Sequence, residues 1–174
     1  VSGVVNGNEI TLQATTGALT IGAQIGNGTT NNVSLRGATV ALGDSVLAST
    51  GIAVNATGGG ITHTAGDLNT AGEVTLVAAG AIGAAAAQVR IDGGGTLANL
   101  TTTAGGDAFL TTQQDLTIEA VTTGGAFSLD NANLANLNLT FNGTIQTTGD
   151  FDAVAPGNVT ITANASVAAV GGDV

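Results

Sequence analysis

The amino-acid sequence predicts an all-β fold, a parallel β-helix (β-solenoid) of about eight coils of about 21 residues each. Three observations predict it. A five-residue alternation of apolar and polar residues recurs at near-constant spacing along the chain. Turns rich in Gly, Asn and Asp separate the copies. The composition disfavours both long helices and disorder. The chain has 174 residues, with 28 Gly, 28 Thr and 15 Asn, and only 8 % of residues are charged. Gly and Thr are poor helix formers, and too few charges exist for paired helix surfaces. A mean hydropathy of +0.40 with a single Pro is unlike a disordered chain.

The alternating copies justify the strands in order. They are Glu9–Gln13, Asn32–Arg36, Gly51–Asn55, Glu73–Val77, Gly94–Ala98, Asp115–Glu119, Asn136–Thr140 and Asn158–Thr162. Their central residues are Leu12, Leu35, Val54, Leu76, Leu97, Ile118, Leu139 and Ile161, spaced by 23, 19, 22, 21, 21, 21 and 22. The position two before the centre is Ile, Val or Leu in seven of the eight copies, and only the copy around Leu97 breaks the pattern. Alternation buries one face of a strand, so the apolar residues point inward and the intervening Thr-like residue outward. Ala two residues after the centre, at Ala14, Ala56, Ala78, Ala120 and Ala163, suits a narrow interior.

A second motif sets Gly with Gly or Asp before an apolar residue, as in Gly105-Gly106-Asp107-Ala108-Phe109, Gly124-Gly125-Ala126-Phe127 and Gly149-Asp150-Phe151. Gly supplies the dihedrals that tight corners need. Each repeat therefore reads as two or three short strands. One coil cannot bury its own apolar face, so coils must stack. Rungs lie about 4.8 Å apart, which makes eight coils a rod roughly 35–40 Å long. A β-sandwich also uses many short strands, but it needs no shared register near 21.

Composition also bounds function. Without Lys there is no P-loop lysine and no Schiff base. Without Cys there is no disulfide, thiolate nucleophile or zinc–sulfur site. One histidine, His63, cannot build a multi-histidine metal site. A net charge of −10, with Arg36 and Arg90 as the two cations, repels phosphate backbones and anionic lipid, so no nucleic-acid partner is expected. The longest run of apolar residues and Gly is Leu76–Ala87, well short of the roughly 18–20 residues of a spanning helix, so no membrane insertion is expected. The chain opens on Val1 without a leader, as expected of a processed product or a piece of a longer repeat array; residues 1–174 read as a single solenoid segment.

The segments Gly72–Gly83, Gly105–Leu110, Gln114–Ala120 and Gly157–Ala163 resemble the repeats of filamentous haemagglutinin-type exoproteins, bacterial surface adhesins exported by two-partner secretion. The resemblance spans nearly the whole chain. It implies a right-handed β-helix, a secreted or cell-surface location, and contact with a host or neighbouring-cell surface or matrix through a longer protein. That family's amino-terminal secretion domain is not recognisable here, as expected of a shaft piece.

Candidate sites are few. Asp150 and Asp152 flank Phe151 and read as a solvated turn pair rather than a catalytic dyad. Asp130 with Asn131 and Asn133 has calcium-turn chemistry, yet the nonapeptide calcium repeat is absent. Gly43–Leu47 fails the nucleophile-elbow pattern at its last position. His63 reads as an exposed strand residue, and the runs Gly58–Gly60 and Gly93–Gly95 read as turns, since no helical pattern follows them. Thr62-His63-Thr64 and Thr160-Ile161-Thr162 are the ice-binding type of Thr pair, which most coils lack.

Asn-x-Ser/Thr is the pattern that exceeds chance. It occurs at Asn27, Asn32, Asn55, Asn99, Asn138, Asn142, Asn158 and Asn164, where 34 Ser and Thr in 174 residues would place about three. Either these are glycosylation acceptors, as in high-molecular-weight adhesins of the same secretion class, or Asn serves as a turn residue with Thr following in the strand. The sequence thus predicts a non-enzymatic extracellular shaft without cofactor or metal. The alternative is a segment or subunit of a self-assembling filament or surface layer that associates end to end.

Overall fold

The computed structural model describes residues 1–93, 98–131 and 137–174. They form 18 strands and no helix: β1 (Glu9–Gln13), β2 (Leu19–Ile21), β3 (Asn32–Gly37), β4 (Val40–Leu42), β5 (Val46–Leu47), β6 (Gly51–Ala56), β7 (Ile61–His63), β8 (Leu68–Asn69), β9 (Glu73–Ala78), β10 (Val89–Ile91), β11 (Ala98–Ala104), β12 (Ala108–Thr112), β13 (Leu116–Thr123), β14 (Phe127–Asp130), β15 (Leu139–Thr147), β16 (Phe151–Val154), β17 (Val159–Ile161) and β18 (Ser166–Ala169). All pairings between these strands are parallel, as in a chain wound into stacked coils. The fold is a β-solenoid.

One long sheet runs the length of the rod in the order β1-β3-β6-β9-β11-β13-β15, with β17 and β18 both pairing β15 as the last rung. Eight rungs are separated by seven steps, so the chain makes about seven full turns rather than eight. Two further sheets close the coil. One is β2-β4-β7, extended through Ile82 to Ala108 of β12. The other is β5-β8-β10-β12-β14-β16. The early coils are therefore three-sided. From β12 onward a single strand does the work of both smaller sheets.

Alternation determines which side chains enter the core. In the long sheet one column runs Ile10, Val33, Ile52, Val74, Leu100, Ile118, Phe141 and Ile161. The next runs Leu12, Leu35, Val54, Leu76, Thr102, Val121, Ile145 and Val167. Opposite them lie Leu19, Val40, Ile61, Ile82, Ala108, Phe127 and Phe151. Between Ile21 and Ile145 most of these are buried, in one cluster that spans the rod. Each large aliphatic side chain there contributes roughly 1.5–3 kcal/mol on burial.

Two expectations about register need correction. The copy centred on Leu97 lies outside the described residues as far as Gly94–Leu97; the strand of that coil is β11, with Leu100 and Thr102 facing inward. Ile118 then stacks on Leu100 and Val74 rather than on Leu76, and Leu139 pairs Leu116 rather than Ile118. For the same reason Ala120 and Ala163 are not in the Ala56–Ala78–Ala104 column; Ala120 follows the bulge at Glu119 and pairs Thr101 and Thr144, and Ala163 is in a turn. The cause is insertion. The two inward columns are two residues apart from β1 to β11, then three apart in β13 (Ile118, Val121), four in β15 (Phe141, Ile145) and six across β17 and β18 (Ile161, Val167).

Corners rely on backbone that only glycine adopts at low cost. Gly26 and Gly66 have φ of 76° and 79°, and a Cβ on either would strike the backbone of the neighbouring coil, at Leu47 and at Asp44–Ser45. Acidic corners are tied to the next coil: Asp107 Oδ1 accepts the Ala126 N–H at 2.8 Å and Asp150 Oδ1 accepts the Asp173 N–H at 3.1 Å.

Candidate functional site

The inward columns form one buried apolar cluster, and the polar side chains lie mostly outside it, chiefly on the outer face of the long sheet. Residues alternate with the core columns there. One outward row is Thr11, Ser34, Ala53, Thr75 and Thr101; another is Thr117, Thr140 and Thr160. Two shallow depressions mark this face. The first, about 260 Å³, lies over β3, β6 and β9, where Gly51 and Ala53 leave space between Asn32 and Glu73. The second, about 390 Å³, lies over Thr117, Thr140 and Thr160, with Asp115, Asn138 and Asn158 along one side. Both are open and polar-rimmed.

All eight sequon asparagines belong to this face or its margins. Asn32, Asn55, Asn99 and Asn142 lie in β3, β6, β11 and β15; Asn138 and Asn158 immediately precede β15 and β17; Asn27 and Asn164 sit in turns. The strand explains the motif. In the regular strands Asn and the Ser or Thr two residues later share the outward side, while the residue between them enters the core; at Asn142 the middle residue, Gly143, is part of a bulge, and Asn27 and Asn164 are in turns.

The structure divides these asparagines into two kinds. Five are rungs of amide ladders between coils. Asn27 Nδ2 donates to Asn6 Oδ1 at 3.2 Å, and Asn32 Nδ2 to Glu9 Oε1 at 3.2 Å. The Asn138 backbone N–H donates to Asp115 Oδ1 at 2.7 Å, and that of Asn158 to Asn138 Oδ1 at 3.0 Å. Asn142 Nδ2 donates to Glu119 Oε2 at 3.1 Å, and Asn142 Oδ1 accepts from Thr162 Oγ1 at 3.2 Å. The other three, Asn55, Asn99 and Asn164, make no side-chain hydrogen bond among the described residues, and Asn99 and Asn164 are exposed. Much of the sequon excess is thus a stacking device. Its signal in the sequence is an acid or amide about 20 residues before the Asn.

The remaining candidates are scattered. Asp150 occupies a corner and Asp152 an exposed position of β16 in register with Ser128. Asp130 ends β14, Asn131 is fully buried, and Asn133 lies outside the described residues. Among the described residues no three His, Asp or Glu side chains gather as metal ligands. His63 ends β7 and its Nε2 contacts Gly66 O at 2.8 Å, which ties it to a corner. Gly58–Gly60 is a corner between β6 and β7; the Gly93 N–H donates to Gln114 Oε1, and the rest of that run lies outside the described residues. Thr62 and Thr160 are outward, but their neighbours in register, Ala41 for Thr62 and Thr140 for Thr160, give no common Thr pair along the rod. Arg90 pairs with Asp67 of the preceding coil, Nε to Oδ1 at 2.5 Å, whereas Arg36 is exposed on the outer face. No helix is long and apolar enough to cross a membrane among the described residues.

No family model, curated protein or solved structure matches the chain. What it can do is therefore argued from the rod itself: it offers a repetitive hydrogen-bonding surface on which five of the eight sequon asparagines are engaged in joining coils.

Proposed function

We propose that the chain is a non-enzymatic shaft segment of a bacterial surface adhesin of the filamentous haemagglutinin type, acting outside the cell. The observation that carries this is the single apolar cluster running through the stacked coils under a polar exterior. Such a body keeps its length, and the two depressions on its outer face are shallow and open. It suits holding an adhesive tip away from the cell, or presenting a long contact surface to a host or neighbouring cell or matrix. An exposed fibre also benefits from resisting proteases, and the chain offers trypsin only Arg36 and Arg90. Sequencing outward from the gene tests the reading. Further 20-odd-residue repeats and a secretion domain in the same reading frame, with loss of cell attachment when the frame is deleted, are the expected results. A frame lacking both, or depolymerisation of a polysaccharide by the purified chain, overturns it.

A further inference from the structure

Three asparagines are followed directly by glycine: Asn6, Asn27 and Asn142. In such a pair the asparagine Cγ and the glycine backbone nitrogen are the two atoms that would close a five-membered ring. The glycine has no Cβ to obstruct them. The fold treats the three pairs differently.

Asn142 is stretched between coils. Its Nδ2 donates to Glu119 Oε2 at 3.1 Å and its Oδ1 accepts from Thr162 Oγ1 at 3.2 Å, so both ends of the carboxamide are engaged by neighbouring coils. Gly143 lies inside β15, where a Cβ would strike the Glu119 carbonyl. Asn6 is also turned to the next coil, its Oδ1 accepting from Asn27 Nδ2 at 3.2 Å.

Asn27 is folded back on its own chain. Residues 27–30 form a turn in which Thr30 N–H donates to Asn27 O at 3.0 Å. Asn27 Oδ1 accepts two hydrogen bonds from Thr29, from its N–H at 2.9 Å and from Oγ1 at 2.8 Å. Both reach across the Gly28 peptide and curl the carboxamide along it. The corner is braced as well: Asn27 N–H donates to Thr30 Oγ1 at 3.1 Å, and Thr30 Oγ1 donates to Gly7 O at 2.7 Å. The Gly28 N–H donates to no group among the described residues, and open space lies where a Gly28 Cβ would be. Gly28 and Thr29 are exposed, so water reaches them.

We propose that Asn27 is a site of spontaneous covalent modification, converted to an acidic residue by attack of Gly28 N on its Cγ, with water as the co-reactant. Gly28 N loses its proton to solvent and forms the N–Cγ bond. Oδ1 then carries the developing negative charge. The Thr29 N–H and hydroxyl are already aimed at it, which is the arrangement that stabilises a tetrahedral oxyanion. The Cγ–Nδ2 bond breaks, Nδ2 takes up a proton and leaves as ammonia, and a succinimide ring remains. Water opens that ring at either carbonyl and leaves an aspartyl or isoaspartyl residue; nothing is oxidised or reduced. The product lacks the Nδ2 that donates to Asn6, so that rung between coils is lost. It adds one carboxylate to a chain of net charge −10 and removes one of the eight sequons. None of this depends on the shaft reading.

The test uses the intact 174-residue chain, made without glycosylation and kept folded in mildly alkaline buffer, where amide N–H groups ionise more readily. Cleavage after Glu9, Glu73 and Glu119 puts Asn6, Asn27 and Asn142 on separate peptides. Mass spectrometry then reads the amide-to-acid exchange on each. The expected result is conversion at Asn27 several-fold ahead of Asn6 and Asn142. Gly28→Ala, whose methyl group meets nothing, should nearly stop it while leaving the circular dichroism spectrum unchanged. Thr29→Ala removes one of the two donors and should slow conversion several-fold, whereas Thr29→Ser keeps the hydroxyl and should keep the rate. In urea the three asparagines should react at similar rates, because the turn that sets Asn27 apart is gone. Asn6 or Asn142 keeping pace with Asn27 in the folded chain overturns the proposal. So does a rate that Thr29→Ala leaves unchanged or raises, or the same lead for Asn27 in urea.

Discussion

The amino-terminal coils, up to β9, and the carboxy-terminal coils, from β11, are built from the same alternating motif and yet have different cross-sections. The first are three-sided, with strands of two to six residues and a core of Ile, Val and Leu. The second are two-sided, with β11, β13 and β15 of seven, eight and nine residues. Their interior adds aromatic rings to the aliphatic core: Phe127 stacks on Phe151 at 5.7 Å and Phe141 meets Phe151 edge-on at 5.4 Å. The difference teaches that a solenoid is specified by its columns, not by a constant repeat length. Residues inserted between two columns bulge outward, at Gly143 for instance, where a Cβ would strike the Glu119 carbonyl. The columns themselves stay in register.

The largest expected effect breaks one region and spares the other. Phe127→Ala removes a fully buried ring from the carboxy-terminal core and should cost about 3–5 kcal/mol in denaturant unfolding. Coupling in a stacked array is between neighbours. Hydrogen exchange should therefore accelerate in β12 to β18 well before β1 to β6. Equal acceleration in β3 and β14 would show that the rod unfolds as one unit and that the two regions are not energetically distinct. Leu76→Ala, with the same readout, should cost about 2–5 kcal/mol and open the coils around β9 first.

Next in size is a corner of the three-sided region. Gly66→Ala places a methyl group against the Asp44–Ser45 backbone at a φ of 79°, and strain of this kind costs about 1–3 kcal/mol. Gly28→Ala, at a turn glycine with open space around it, is the control and should change the unfolding midpoint little.

Alternation made the strands legible in the sequence, and in the amino-terminal region it also gave the register: Leu12, Leu35, Val54 and Leu76 do stack as their spacing implies. It failed after β9 because bulges and an inward Thr102 break the apolar pattern, and a search for apolar centres then drifts by two residues or more. A polar residue in a core column has no alternation signal. Thr123 and Thr147 are equally hidden; each is buried and satisfies its hydroxyl locally, on Gly125 O and Gly149 O at 2.8 Å. The outer face was legible as a set of sequons. Its division into ladder rungs and unengaged asparagines was not, since that depends on which residue lies one coil below.

That division gives a smaller, sharper prediction. The Asn138 side chain links Asp115 below, Nδ2 donating to Oδ1 at 3.3 Å, to Asn158 above, whose N–H its Oδ1 accepts, so Asn138→Ala should destabilise the two-sided region by about 0.5–1.5 kcal/mol. Asn55→Ala, which breaks no such link, should fall within about 0.5 kcal/mol of the parent. In native material the same contrast predicts hexose on peptides containing Asn55, Asn99 or Asn164 ahead of those containing Asn138 or Asn158, read by intact mass and peptide mapping. Sugar confined to the ladder asparagines would reverse the assignment.

The smallest effect concerns the boundary between the regions. Arg90 in β10 holds Asp67 of the coil before it, Nη2 to Oδ2 at 3.2 Å as well as Nε to Oδ1, just before β12 merges the two smaller sheets. The arginine side chain is 40 % exposed, so solvent screens most of the attraction. Partly exposed ion pairs contribute about 0–1 kcal/mol, and less as salt rises. Arg90→Gln should therefore lower stability by less than about 1 kcal/mol, with most of the difference gone in high salt. A larger, salt-independent loss would mean that the arginine stem packs as part of the junction between the two cross-sections, and that the boundary is held by apolar contact rather than by charge.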